Sequence, residues 1–174
     1  LRMLGQHQAA NAAVALATAL ELRRQGWLIS TDAMRGGLAE ATLPGRIEVV
    51  GRRPTVVLDV AHNVASVEAL VESLRESFAA TERVLVFAAS KDKDAPGMLR
   101  VLLPHFQRVI ATAFQENPRA IPVEQIAQWC RDEKTRLGQA VDEDVVQTCP
   151  LPADAWRQAL QWTKPDQLLC ITGS

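Results

Sequence analysis

Residues 55–63, Thr-Val-Val-Leu-Asp-Val-Ala-His-Asn (TVVLDVAHN), decide how this chain folds. Thr55 to Asp59 is a short apolar run rich in β-branched side chains, which predicts a buried strand. The strand ends on a carboxylate, and His62 and Asn63 follow at once. Ser66 is the expected N-cap of a helix over Ser66–Phe78, because Val67, Leu70, Val71, Leu74 and Phe78 recur at helical spacing. The unit is strand, loop and helix, with its polar residues at the carboxyl end of the strand. Open α/β sheets bind their ligands at that end.

The same alternation continues toward the C-terminus. Strands are expected at Arg83–Ala89, Arg108–Phe114, Val145–Cys149 and Leu168–Thr172. Between them lie a helix capped by Asp94 with Pro96 in its first turn, one starting at Pro122 and one starting at Pro152. Toward the N-terminus, Arg46–Gly51 can pair with Thr55–Asp59 as a hairpin, giving the sheet one antiparallel edge. Before that, ATLPG at Ala41–Gly45 is the best candidate for a domain boundary. Helices are predicted over Gln8–Gln25, with Ala13, Leu16, Ala17 and Leu20 as its apolar stripe, and over Thr31–Leu38. The fold class is therefore α/β, a mostly parallel sheet with helices on both faces.

The 174 residues are enough for one good core, or a domain plus part of another. A formal net charge of -1 argues against a broad nucleic-acid surface. No apolar run is long enough to span a membrane, and no signal segment opens the chain. Three scattered cysteines, Cys130, Cys149 and Cys170, read as buried reduced thiols of a cytoplasmic protein. The start at Leu1, just ahead of a helix, is what a piece of a longer protein would show.

Asp59, His62 and Asn63 stand where a parallel sheet presents ligands, although Asp59 could equally cap the next helix and His62 satisfy a carbonyl. Amides opening that helix would favour a carboxylate or phosphate beside His62. Arg46, read locally, is a solvated arginine. SKDKD (Ser90–Asp94) could hold a metal or phosphate but reads better as a solvated turn with an N-cap. His7 and Asn11 share a helix face and read as a helix-start cap pair. The chain contains no GxxxxGK[ST] loop, GxGxxG, Cys/His metal spacing or GxSxG elbow. Any nucleotide would have its main phosphate cradle elsewhere.

Taken together, GQHQAAN (Gly5–Asn11), LPGRIEVV (Leu43–Val50), LDVAHN (Leu58–Asn63), SKDKD, NPRA (Asn117–Ala120) and ITGS (Ile171–Ser174) resemble one family. It is folylpolyglutamate synthase, in many bacteria also dihydrofolate synthase, within the muramyl-peptide ligase superfamily. The motifs run the length of the chain in the family's order, and PGR followed by DxAHN is the specific part. The resemblance implies that residues 1–43 are the tail of a central ATP-binding domain. Residues 44–174 would be a C-terminal Rossmann-like ligase domain. It implies ATP-dependent amide ligation, in which a folate or dihydropteroate carboxylate is phosphorylated and the amine of L-glutamate attacks the acyl phosphate.

The resemblance further implies that Asn11, Arg46 and Asp59 meet ATP and that His62 and Ser174 position the glutamate. Mg²⁺ would be held mostly by the part upstream, and no metal ligand is assigned within this chain. The implied partners are the small-molecule substrates and the protein's own N-terminal ATPase domain, with no nucleic acid or membrane, in a monomer. The isolated piece is expected to be inactive. The chain departs from the family's DGAHNP at Val60 and Val64, which adds bulk beside the site and is expected to loosen the turn into the helix. Two other readings stay open: a UDP-muramyl-peptide ligase domain, and a non-enzymatic nucleotide- or metabolite-binding module.

Overall fold

The structure, a computed structural model, describes residues 1–139, 141–142 and 144–174. Six strands form one sheet in the order β1-β2-β6-β3-β4-β5. The strands are β1 (Glu48–Arg52), β2 (Thr55–Leu58), β3 (Arg83–Ala88), β4 (Arg108–Ala111), β5 (Val146–Thr148) and β6 (Leu168–Gly173). β1 runs antiparallel to β2 as the hairpin reading requires, with a bulge between Val49 and Gly51. All the other neighbours are parallel. The mostly parallel α/β sheet inferred from the alternation is therefore the one observed.

The helices divide unequally between the faces. On one face α3 (Val64–Ser77), α4 (Ala95–Leu102) and α5 (Val123–Arg136) bury Leu70, Leu74, Met98, Leu102 and Ile126 against Val57, Leu85, Phe87 and Cys170. On the other, α6 (Pro152–Trp162) sets Ala155 and Ala159 on Val56, Val84, Val86, Ile110 and Leu169. Small residues on α6 let it sit close to a β-branched sheet surface. Of the thiols, Cys130 and Cys170 are buried but Cys149 is only partly so. Its place at the sheet's last strand leaves one side open. Among the described residues no helix is long and apolar enough to cross a membrane.

Two helix starts differ from expectation. Helix α3 is capped by Asn63 rather than Ser66, and begins at Val64. Asn63 Oδ1 accepts the Ser66 amide at 2.8 Å, while Ser66 Oγ accepts the amides of Asn63 at 3.1 Å and His62 at 3.0 Å. This reciprocal box satisfies donors that either residue alone would leave open. Val64 packs against the core as the first helical residue, so the expected loosening of the turn is not seen. A Ser66→Ala variant should lose about 1 kcal/mol of stability, read as a lower urea midpoint at unchanged slope.

Helix α1 (Gln6–Arg24) begins at Gln6 behind Gly5, with no side-chain cap. His7 and Asn11 are thus not a cap pair. Its expected stripe does not face inward either, since Ala13, Ala17 and Leu20 are exposed. Helix α2 (Thr31–Glu40), capped by Ser30, is its neighbour. Val14, Trp27 and Leu28 stand in solvent around this pair.

Candidate functional site

The carboxyl ends of β2 and β6 lie side by side, because Leu58 pairs with Ile171 in parallel register. The loops that follow carry Asp59, His62 and Ser174. Asp59 is buried and accepts the Ile47 amide on Oδ2 at 2.9 Å. Burial pushes its carboxyl above the ordinary carboxylate range, while the amides of Ile47 and Ala61 and the charge of Arg46 pull it back. The carboxylate thus pins the turn Pro44-Gly45-Arg46-Ile47 to the end of the sheet. The same turn is tied from its other side, where the Val60 amide donates to the Gly45 carbonyl at 2.8 Å. Val60 also packs on Gly45, whose added Cβ would fall 2.9 Å from Val60 Cγ1. Val60, bulkier than the family's glycine, buttresses the turn that carries Arg46.

Arg46 is half-buried and makes no ion pair among the described residues. It lines a cleft of about 740 Å³ together with Arg2, Leu4, Pro44 and Glu48. A cation fixed by its backbone yet unpaired by its side chain is suited to an anionic ligand. His62 is exposed, with Nδ1 3.3 Å from the Val60 carbonyl. Asn63 is committed to capping α3.

On the far side of β6, three sequence motifs meet. The Ser90 amide donates to the Ser174 carbonyl at 2.7 Å, and the Lys91 amide to the Arg119 carbonyl at 2.8 Å. Asn117 Nδ2 reaches Ser90 Oγ at 3.5 Å. SKDKD, NPRA and ITGS are thus one structural cluster. Within SKDKD, Asp94 caps α4 through the Gly97 amide at 2.9 Å and Asp92 pairs with Lys93. That matches a solvated turn with an N-cap. Among the described residues no group of three or more His, Cys, Asp or Glu could hold a metal ion.

Arg46 and Asp59 are therefore together, and Ser174 and His62 lie on adjoining loops without a hydrogen bond between them. Asn11 stands apart on α1, joined to neither. Three features escaped the sequence reading. Gln8 is buried at the start of α1 and bonded to both His7 and Asn11. Thr172 Oγ1 is buried without a partner, on the sheet face it shares with Leu168 and Cys170. An apolar cleft of about 390 Å³ opens under α6, lined by Val60, Ala88, Thr112, Phe114 and Trp156. None has a linear signature.

The raised Asp59 carboxyl fixes a pH prediction. With the folded value above the unfolded one, the folded state binds more protons between them, so stability falls as pH rises through that window. Melting temperatures of wild type and Asp59→Asn, compared from about pH 3 upward, should show wild type losing ground to the variant. A constant difference would mean that the carboxyl titrates alike folded and unfolded.

Residues 45–174 match the family described as Mur ligase, glutamate ligase domain. The dihydrofolate synthase/folylpolyglutamate synthase of Mycobacterium tuberculosis is 40% identical over 129 residues, covering 73% of this chain and 26% of that protein. A solved structure of Mycobacterium tuberculosis folylpolyglutamate synthase complexed with ADP superposes with a TM-score of 0.85 at 33% identity, covering all of this chain and 39% of that one. The bifunctional enzyme of Yersinia pestis, complexed with AMPPNP and Mn, superposes at 0.76 with 32% identity, covering 95% and 36%. The chain thus spans between a quarter and two-fifths of these relatives. It belongs to the Mur ligase family as its glutamate ligase domain, and its relatives are folylpolyglutamate and dihydrofolate synthases.

Proposed function

We propose that this chain is the C-terminal part of an ATP-dependent ligase that adds L-glutamate to folate, dihydropteroate or both. The observation that carries the reading is the Asp59–Ile47 pin, which presents an unpaired Arg46 at the edge of a cleft. Phosphorylating a carboxylate needs charge neutralisation at the transferring phosphoryl group more than covalent help. Arg46 would supply it, Asp59 would hold the turn and face the ribose, and Asn11 would face the base. On the neighbouring loops His62 and Ser174 would orient the glutamate, with its amine toward the acyl phosphate and its carboxylates toward the opening amides of α3.

Among the described residues there is no group of three or more His, Cys, Asp or Glu that could hold a metal ion. Mg²⁺ would be held mostly by the rest of the protein. The exposed apolar side chains Val14, Trp27 and Leu28 support residues 1–43 as the tail of the ATP-binding domain, covered in the intact protein. The piece alone is then inactive, and the intact protein works as a cytoplasmic monomer. Two domains closing over ATP would keep water from the acyl phosphate.

The test is phosphate release by the intact protein with ATP, with and without glutamate, using tetrahydrofolate and dihydropteroate in turn. Release that requires both glutamate and a pterin is expected. Release with a UDP-muramyl peptide instead, or none with any acceptor, would overturn the folate assignment.

A further inference from the structure

Helix α1 buries a single side chain, and it is a glutamine. Gln8 is 3% exposed on a helix whose other residues are half-buried or open. A buried amide is costly unless both of its ends are bonded. Here both are: Nε2 lies 3.0 Å from His7 Nε2, and Oε1 accepts from Asn11 Nδ2 at 3.4 Å. The ring at the far end is itself wedged, since an added Cβ on Gly5 would come within 2.7 Å of it and 2.3 Å of Ser73 Oγ on α3.

The relay has a direction. With Gln8 Nε2 as the donor, His7 Nε2 is the acceptor, which calls for the tautomer carrying its proton on Nδ1. Gln8 Oε1 only accepts, so Asn11 must turn its Nδ2 toward it. Asn11 is otherwise exposed, with Oδ1 and the second N–H unpartnered among the described residues. An amide held this way offers one acceptor beside one donor. That pair matches the N6 amino group and N7 of adenine, and it does not match a purine with a carbonyl at position 6, which offers two acceptors.

We propose that Gln8 is a positioning residue that locks the Asn11 amide in the orientation reading an adenine edge, and so sets the purine preference of the ligase. The proposal rests on the reading above that Asn11 faces the nucleotide base. An unlocked Asn11 can rotate to donate to a 6-carbonyl, which is the physical reason the lock discriminates.

The experiment compares kcat/KM for ATP and ITP in glutamate-dependent phosphate release by the intact protein. The variants are Gln8→Leu, Gln8→Glu, His7→Phe and Asn11→Ala. Gln8→Leu is expected to cut the ATP-over-ITP preference by roughly tenfold, through KM with kcat little changed. Gln8→Glu still accepts from Asn11 and should keep most of the preference. His7→Phe frees the far end of the relay and should lose part of it. An equal loss with both nucleotides would mark a structural role and overturn the proposal, as would an unchanged ratio in Gln8→Leu while Asn11→Ala abolishes it. If Asn11→Ala leaves the ratio intact, the placement of Asn11 at the base fails, and the proposal with it. Should Gln8→Leu not fold, full preference retained by His7→Phe would overturn the lock.

Discussion

An Arg46→Ala variant of the intact protein is expected to lose about a hundred- to a thousand-fold of its glutamate-dependent phosphate release. Its urea midpoint should match that of wild type. The two halves of this expectation come from different parts of one turn. The backbone of the turn is tied at four points: Arg46 amide to Leu43 carbonyl at 3.2 Å, Gly45 amide to Glu48 Oε2 at 2.8 Å, Ile47 amide to Asp59 at 2.9 Å, and Val60 amide to Gly45 carbonyl at 2.8 Å. Ile47 holds a φ of 49°, where a β-branched residue is rarely found, and Gly45 a φ of 68°. Such a conformation persists because its surroundings over-determine it. The Arg46 side chain takes no part in that holding, as no ion pair or side-chain hydrogen bond engages it among the described residues. Removing it should therefore leave folding alone and, on the proposed reading, remove the positive charge offered to the phosphoryl group.

Asp59→Ala is the contrasting control. It leaves the buried Ile47 amide without its acceptor, which costs about 1–3 kcal/mol, and releases the turn. Activity and stability should fall together. If Arg46→Ala keeps its rate, the guanidinium does not meet the phosphates. If it unfolds early as well, the side chain is structural, and activity says nothing about ligand contact.

What could be read from the residues, and what could not, follows from how local each signal is. β-Branched runs such as Val56-Val57 and Val84 to Val86 announce strands from neighbours alone, so the alternation and sheet class were legible. Asp94 followed by Pro96 announces a helix start just as locally. Asn63 and Ser66 were harder, because both are good caps and the structure uses both, each satisfying the other's amide. Propensity ranks cap residues but not reciprocity. Helix α1 was legible as a helix through its alanines, yet its buried side was not. Ala13 and Ala17 are exposed among the described residues, and the one buried side chain, Gln8, is a polar residue bonded to His7 and Asn11. The site divides in the same way. A carboxylate at the end of a strand reads as cap or ligand. That Asp59 instead pins Ile47 depends on β1 folding back antiparallel, which brings the start of one strand beside the end of the other.

Gly173→Ala should be strongly destabilising, costing at least about 3 kcal/mol. Gly173 ends β6, the strand flanked by β2 and β3, and sits opposite Ala88 in the parallel register. Its φ is 120°, and a Cβ built there would lie 1.8 Å from the Ala88 carbonyl oxygen. That contact is with backbone, so no rotamer relieves it. Either β6 peels from β3 at its end or β3 moves, and β3 is buried along its whole length. Gly26→Ala makes a fair comparison, since φ is 98° there but nothing lies within 4 Å of the added Cβ. It meets the backbone strain alone, of order 1 kcal/mol. The difference between the two melting shifts isolates the collision.

The collision should reach the site, because the next residue, Ser174, holds the Ser90 amide through its carbonyl. Displacing Ser174 pulls on the loop where Ser90, Asn117 and Arg119 meet. Gly173→Ala protein that still folds at low temperature should accordingly show a raised KM for glutamate with the KM for ATP little changed. Ser174→Ala separates the two effects. It keeps the carbonyl that anchors Ser90 and removes the hydroxyl, so it should melt like wild type while still raising the glutamate KM. A Gly173→Ala protein that melts at the wild-type temperature would mean that β6 and β3 part at their ends without cost. The close approach at Ala88 would then have no role in holding the site.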